Sequence, residues 1–162
     1  MSDPLSQMIL YLVQHGEAVT ETVDARRPLS AAGRATVDQV ATWSARHGLA
    51  VDQIRHSGKL RAEQTASILA ARLQPPRGVV AQSGLAPNDD VRPVAKTLAG
   101  ETGSLMLVGH LPFLARLAAL LLSGDSDRSL IRFRYAGLVG LVRDGDQWAI
   151  SCVVPADLTG PQ

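Results

Sequence analysis

Leu10-Tyr11-Leu12-Val13-Gln14-His15-Gly16-Glu17-Ala18 decides the fold. An unbroken apolar run rich in Leu, Val and Tyr and stopped by glycine has the composition of a strand buried on both faces, the pattern of a parallel sheet. Parallel sheets present ligands at the carboxyl ends of their strands, and His15 occupies such an end. A second run, Ser104-Leu105-Met106-Leu107-Val108-Gly109-His110-Leu111-Pro112-Phe113, repeats the arrangement and turns into a helix at Pro112. Between them, Ser57-Gly58-Lys59-Leu60-Arg61-Ala62-Glu63-Gln64-Thr65-Ala66 opens a helical pattern with Arg61 in its first turns. Helix amino termini carry unpaired N–H groups and partial positive charge, so Arg61 is well placed to hold a phosphate.

Working outward, Ser30 caps a helix that runs to about His47 and stops at Gly48, with Val37, Val40, Ala41 and Ser44 on its buried face. A short strand at 53–56 precedes the Arg61 helix, roughly 59–73, whose end is marked by Pro75 and Pro76. A third strand is expected at 78–82. Asn88-Asp89-Asp90 has the chemistry of a helix start, and that helix should reach Ala99 and stop at Gly100. The helix after Pro112 continues to about Leu122, and two strand-like runs, 137–143 and 147–153, are joined through Asp144-Gly145, a strong hairpin signal. Strands alternating with helices, followed by a hairpin, predict an α/β fold: a three-layer α/β/α single domain with a mainly parallel sheet and a C-terminal hairpin. Residues 1–8 read as a loose leader and 9–162 as the domain.

At 162 residues and 46% hydrophobic, the chain is the size of one ordinary domain with a real core. A net charge of +1, spread along the chain, leaves no basic stripe for nucleic acid or for an anionic membrane, so neither is expected as a partner. The single cysteine, Cys152, excludes an internal disulfide and sits in a strand-like context that favours a packing role. The amino terminus lacks the basic region and apolar core of a signal peptide, and the longest helical apolar run, 117–122, is far short of a membrane span. A cytoplasmic location is expected.

Three motifs, in order and in context, resemble those of the histidine phosphatase superfamily, the phosphoglycerate-mutase-like group, and within it the short phosphohistidine phosphatases of the SixA type. They are His15-Gly16-Glu17, the Leu60-Arg61-Ala62-Glu63-Gln64-Thr65-Ala66 run, and Gly109-His110-Leu111-Pro112. Arg27-Pro28-Leu29-Ser30 followed by Gly33 is also similar to that branch, and the resemblance covers about 10–154. It implies a phosphatase in which His15 is the nucleophile and forms a phosphohistidine intermediate that water hydrolyses. Arg61 and His110 would complete the catalytic set, and Gln14, Gly16, Arg61 and His110 would hold the phosphate. Inorganic phosphate or similar anions should occupy the same site, and neither cofactor nor metal is implied.

One position departs from the pattern: where the superfamily usually carries arginine before the nucleophile, this chain has Gln14. An amide offers donors without charge, whereas arginine offers a cationic fork suited to phosphate. The larger sugar-phosphate relatives carry a glutamate after the third strand. Here that stretch reads Ser83-Gly84-Leu85-Ala86-Pro87-Asn88-Asp89-Asp90, in which helix capping explains Asp89 and Asp90 as well as acid catalysis does. Imidazole is a good leaving group and alkoxide is not, so the expected substrate is a phosphohistidine-bearing protein. The alternatives are a small-molecule phosphomonoesterase and a phosphate-binding module with little or no turnover. Glu17 orients a site residue or is a solvated loop acid; Arg27 adds charge near the site or is a surface arginine. His56 reads as structural and His47 as a helix-end residue, and the histidines show no metal-ligand spacing.

Overall fold

Two apolar strands, β1 (Met8–Gln14) and β4 (Gly103–Gly109), pair in parallel along their full length, from Met8 opposite Gly103 to Gln14 opposite Gly109. The computed structural model describes residues 7–161. Successive strand residues point to opposite faces. Met8, Leu10, Leu12, Leu105 and Leu107 therefore enter one core, while Tyr11, Val13, Met106 and Val108 enter the other. Fully burying side chains such as Leu10, Leu12 and Leu107 contributes roughly 1.5–3 kcal/mol each.

The second core is closed by α1 (Ala31–Arg46) and α2 (Leu60–Leu73), through Val37, Val40, Ala41, Ala62, Ala66 and Leu69. The first is closed by α3 (Arg92–Leu98) and α4 (Phe113–Ser123), through Val94, Leu98, Phe113, Leu114 and Leu117. With β2 (Gln53–His56), β3 (Val79–Ala81), β5 (Leu138–Asp144) and β6 (Gln147–Val154), the sheet runs β3-β2-β4-β1-β5-β6. The pairs among the first four strands are parallel, and β5 lies antiparallel to both β1 and β6. This is the three-layer α/β/α domain with a C-terminal hairpin that the alternation of strands and helices predicts.

Local chemistry accounts for the boundaries. Ser30 accepts from the Gly33 N–H as the α1 cap, and Gly48, just past the helix, sits at φ +71°. The hairpin turns at Gly145, φ +60°, and its register shifts at Gly140, where a Cβ would come within 2.7 Å of Cys152 Sγ. Cys152 thus packs over Gly140, as its strand context suggested.

Two boundaries differ from expectation. Asn88 does not start α3, which begins only at Arg92 with Pro93 in its first turn. The Asp89 carboxylate accepts from the Ala86 N–H and that of Asp90 accepts from the Arg92 N–H. Both acids hold turns, the competing use of short carboxylates. At the amino end β1 takes in Met8, which is fully buried, and residues 1–6 of the expected leader lie outside the described residues.

The segment after β1 closes onto the first turn of α1: the Ser30 N–H donates to the Glu17 carbonyl at 2.9 Å. A Cβ at Gly33 would stand 2.1 Å from that same Glu17 oxygen. Gly33→Ala is expected to destabilise the protein by about 1–3 kcal/mol, the range for forcing an extra carbon into a packed site. Exposed Ala32→Gly, a loss of helix propensity alone, should cost about 1 kcal/mol. Urea unfolding midpoints of the two variants compare them, and an unchanged midpoint for Gly33→Ala refutes the close approach.

Candidate active site

The full register of β1 on β4 brings His15 and His110 side by side at the carboxyl edge of the sheet. The His15 N–H extends the ladder by donating to the Gly109 carbonyl at 3.0 Å, and the two rings lie 5.0 Å apart, tilted by 52°. His15 Nδ1 donates to the Gly16 carbonyl at 2.6 Å, which fixes the ring and leaves the lone pair on Nε2. Arg61, in the first turn of α2, donates through Nε to His15 Nε2 at 3.3 Å. His15, Arg61 and His110, expected together from three separate motifs, are thus brought together.

The Arg61 motif also holds the loop that carries His15. The Gly16 N–H donates to Thr65 Oγ1 at 3.0 Å, Thr65 Oγ1 donates to the Arg61 carbonyl at 2.7 Å, and the Leu29 N–H donates to Gln64 Oε1 at 2.8 Å. These bonds correct one expectation. The Gly16 N–H is engaged by Thr65 and does not face an anion; the part Gly16 plays is to offer the carbonyl that orients His15. It also admits the Val37 side chain, which a Cβ would approach to 2.6 Å.

The other candidates separate. Glu17 is exposed and accepts from Ser30 Oγ at 2.8 Å, so it braces the start of α1 and stands outside the histidine pair. Arg27, held at φ +49° with its Nε donating to the Val19 carbonyl, brings its charge close enough to depress the pKa of His15, Arg61 and His110. Gln14 is buried beside His15 but lines a cavity of about 700 Å³ together with Leu111, Tyr135 and Gln39. His56 accepts from the Gly58 N–H at 3.1 Å, and His47 stacks on Trp43 while its Nδ1 donates to the Trp43 carbonyl. Both are structural, as read.

Two neighbours escaped the sequence reading. Ser57 Oγ lies 2.6 Å from His110 Nε2. It follows the end of β2 as His15 follows β1, and that shared height on the sheet was the available signal. The Tyr135 ring lies 5.6 Å from that of His15. It precedes β5 after a long irregular segment, and nothing in the local pattern marks it. Among the described residues no group of three or more His, Cys, Asp or Glu side chains is gathered as a metal site would need, and no helix is long and apolar enough to cross a membrane.

Burial holds His15 at a pKa of about 4, with Arg61 and Arg27 pushing the same way against the Gly16 carbonyl. Burial, then His15, Arg61, Lys59 and Arg27, takes His110 to about 3. Both rings are neutral at pH 7. Ring-nitrogen NMR should show His15 as the Nδ1–H tautomer down to pH 5, and a midpoint near 6.5 refutes this. Because both folded values lie below the ordinary 6.5, the unfolded chain takes up protons first as pH falls. The histidines' contribution is fully present above about pH 6.5 and is lost on acidification through 4 and 3, at about 1.4 kcal/mol per unit of depression. Thermal melts from pH 7 to 4 read that slope.

No family model matches the chain. It is 36% identical over 141 residues to an uncharacterized protein of Picosynechococcus, covering 83% of this chain and 84% of that one. It is also 28% identical over 124 residues to the phosphohistidine phosphatase SixA of Escherichia coli, covering 74% and 77%. Among solved structures, the protein histidine phosphatase SixA complexed with tungstate superposes with a TM-score of 0.85 at 23% identity, covering 94% of this chain and 100% of that one. With the two strand-end histidines and the helical arginine brought together, the chain has the fold of the SixA histidine phosphatase and is similar in sequence to the phosphohistidine phosphatase of Escherichia coli.

Proposed function

We propose that the protein is a phosphatase that hydrolyses phosphohistidine on a partner protein through a phosphohistidine intermediate on His15. The observation that carries this reading is the oriented, neutral imidazole. Nδ1–H is committed to the Gly16 carbonyl, and Nε2 carries its lone pair beside the Arg61 guanidinium.

In the first step Nε2 attacks phosphorus, the bond from phosphorus to the leaving nitrogen breaks, and its electron pair stays with the departing imidazole. Water then displaces His15 and releases inorganic phosphate. Most of the barrier in such a transfer lies in positioning and in neutralising phosphoryl oxygens. Arg61 supplies the adjacent charge, Arg27 adds to it, and His110 stands across the site with its Nδ1 buried and unpartnered. No metal enters these steps.

The acids near the third strand support a leaving group that needs no proton. Asp89 is bonded to Ala86, and the Arg92 guanidinium holds Asp90 down to about 2. A carboxyl ionised at that pH donates no proton to an alkoxide at neutrality. This favours phosphohistidine over alkyl phosphates, and it favours a protein-borne substrate in a site without a dedicated acid. Two arginines at the histidine pair also favour turnover over stoichiometric phosphate binding. The single half-buried thiol accords with a reducing, cytoplasmic setting.

Catalytic amounts of the protein should release many equivalents of phosphate from a phosphohistidine protein, whereas a binding module releases at most one. His15→Ala should abolish both turnover and the acid-labile phosphoenzyme. Arg61→Ala and His110→Ala should each cost about 2–4 kcal/mol in kcat/KM, the range for losing one preorganised electrostatic group. Preference for an alkyl phosphate over phosphohistidine in a substrate panel overturns the proposal.

A further inference from the structure

We propose that Gln14 and the cavity it lines form the subsite for the leaving imidazole, and that Gln14 Oε1 accepts a hydrogen bond from the ring N–H remote from the phosphoryl group. The inference rests on the phosphohistidine reading above. It starts from an anomaly: Gln14 is only 8% exposed, and its Oε1 is buried with no hydrogen-bond partner. A buried acceptor left without a partner forfeits the hydrogen bonds it would make to water. Such a group is retained in a site when a ligand completes it.

The surroundings say what kind of ligand. Gln14 lines the 700 Å³ cavity with Gln39, Leu111, Tyr135, Arg134 and Asp157, a wall that joins amides and apolar or aromatic surface to one cation and one carboxylate. Tyr135 bounds the cavity on one side and packs 5.6 Å from the His15 ring on the other, and Leu111 directly follows His110. The cavity therefore adjoins the nucleophile. Its volume takes a heteroaromatic ring with flanking peptide, and Tyr135, 47% exposed, offers that ring a flat partner.

The chemistry needs the acceptor where Gln14 stands. Imidazole leaves phosphorus easily when its remote nitrogen is protonated, because the departing ring is then neutral. An amide oxygen that accepts that N–H favours the protonated, reactive form. An arginine at the same position would set a cation against a cation. Phosphate charge is already met by Arg61 and Arg27, which releases position 14 for the leaving group. The unusual glutamine is thereby a specificity-determining residue.

The test compares a phosphohistidine peptide with p-nitrophenyl phosphate, whose leaving group carries no N–H. For wild type, Gln14→Met and Gln14→Glu, the readout is the ratio of kcat/KM on the two substrates across pH 5–9. Gln14→Met, which keeps length and loses the acceptor, should lower the ratio at least tenfold and move the alkaline limb on the peptide to lower pH. Gln14→Glu, which restores an acceptor, should recover the ratio and move that limb to higher pH. Thermal melts confirm that each variant folds, and Gln14→Glu keeps the test decisive if Gln14→Met does not. If wild type turns over the peptide but the variants leave the ratio unchanged, the subsite is refuted and the phosphohistidine reading stands. A wild type that turns over p-nitrophenyl phosphate and not the peptide, or neither, overturns that reading and the subsite with it.

Discussion

The site depends on the register of two parallel strands. Because β1 and β4 pair from Met8 and Gly103 to Gln14 and Gly109, the residues that follow them leave the sheet at the same height, and His15 and His110 meet. Shifting either strand by one residue would exchange Leu10 and Leu12 with Tyr11 and Val13 between the two cores. Hydrophobic packing thus enforces the active-site geometry: the energy that holds the histidines together is spread over apolar side chains on both faces of the sheet. The β5 strand adds a further constraint from the other side, since the Ala136 N–H donates to the Gln14 carbonyl just before β5 begins.

Electrostatics then selects the protonation state. Two imidazoles 5.0 Å apart, buried and facing Arg61 and Arg27, cannot both hold protons, and burial with the nearby positive charge keeps both neutral. The guanidinium groups that depress the rings are themselves held in place, Arg61 by His15 and Arg27 by the Val19 carbonyl. The Nε2 lone pair of His15 accepts from Arg61 Nε at 3.3 Å, so a group that helps keep the ring neutral is also its hydrogen-bond donor.

The bonds from α2 to the loop after β1 show how the helical motif works as a unit. Arg61 reaches His15, Thr65 takes the Gly16 N–H, and Gln64 takes the Leu29 N–H, so one face of one helix positions both the charge and the chain that carries His15. Gly16 and Gly33 are required on steric grounds, one by Val37 and the other by the Glu17 carbonyl. Glutamine at position 14 fits this picture as a buried, neutral wall of the adjoining cavity.

The sequence by itself determined the layers, because runs such as Leu10 to Val13 and Leu105 to Val108 have one stable fate, a strand buried on both faces. It also marked His15, Arg61 and His110 as candidates, since histidines just past strand ends and an arginine in a helix's first turn are local features. Caps and turns such as Ser30 and Asp144-Gly145 were legible for the same reason. Only the tertiary structure decided what depends on distance through space. The Gly16 N–H, free in isolation, is taken by Thr65; Glu17 is drawn to Ser30; Asp89 and Asp90 hold turns and start no helix. Ser57 and Tyr135 reach the histidines from segments far along the chain. Periodicity reports which face of an element is buried; which polar atoms meet there is set by strand register and helix docking, and these are properties of the assembled sheet.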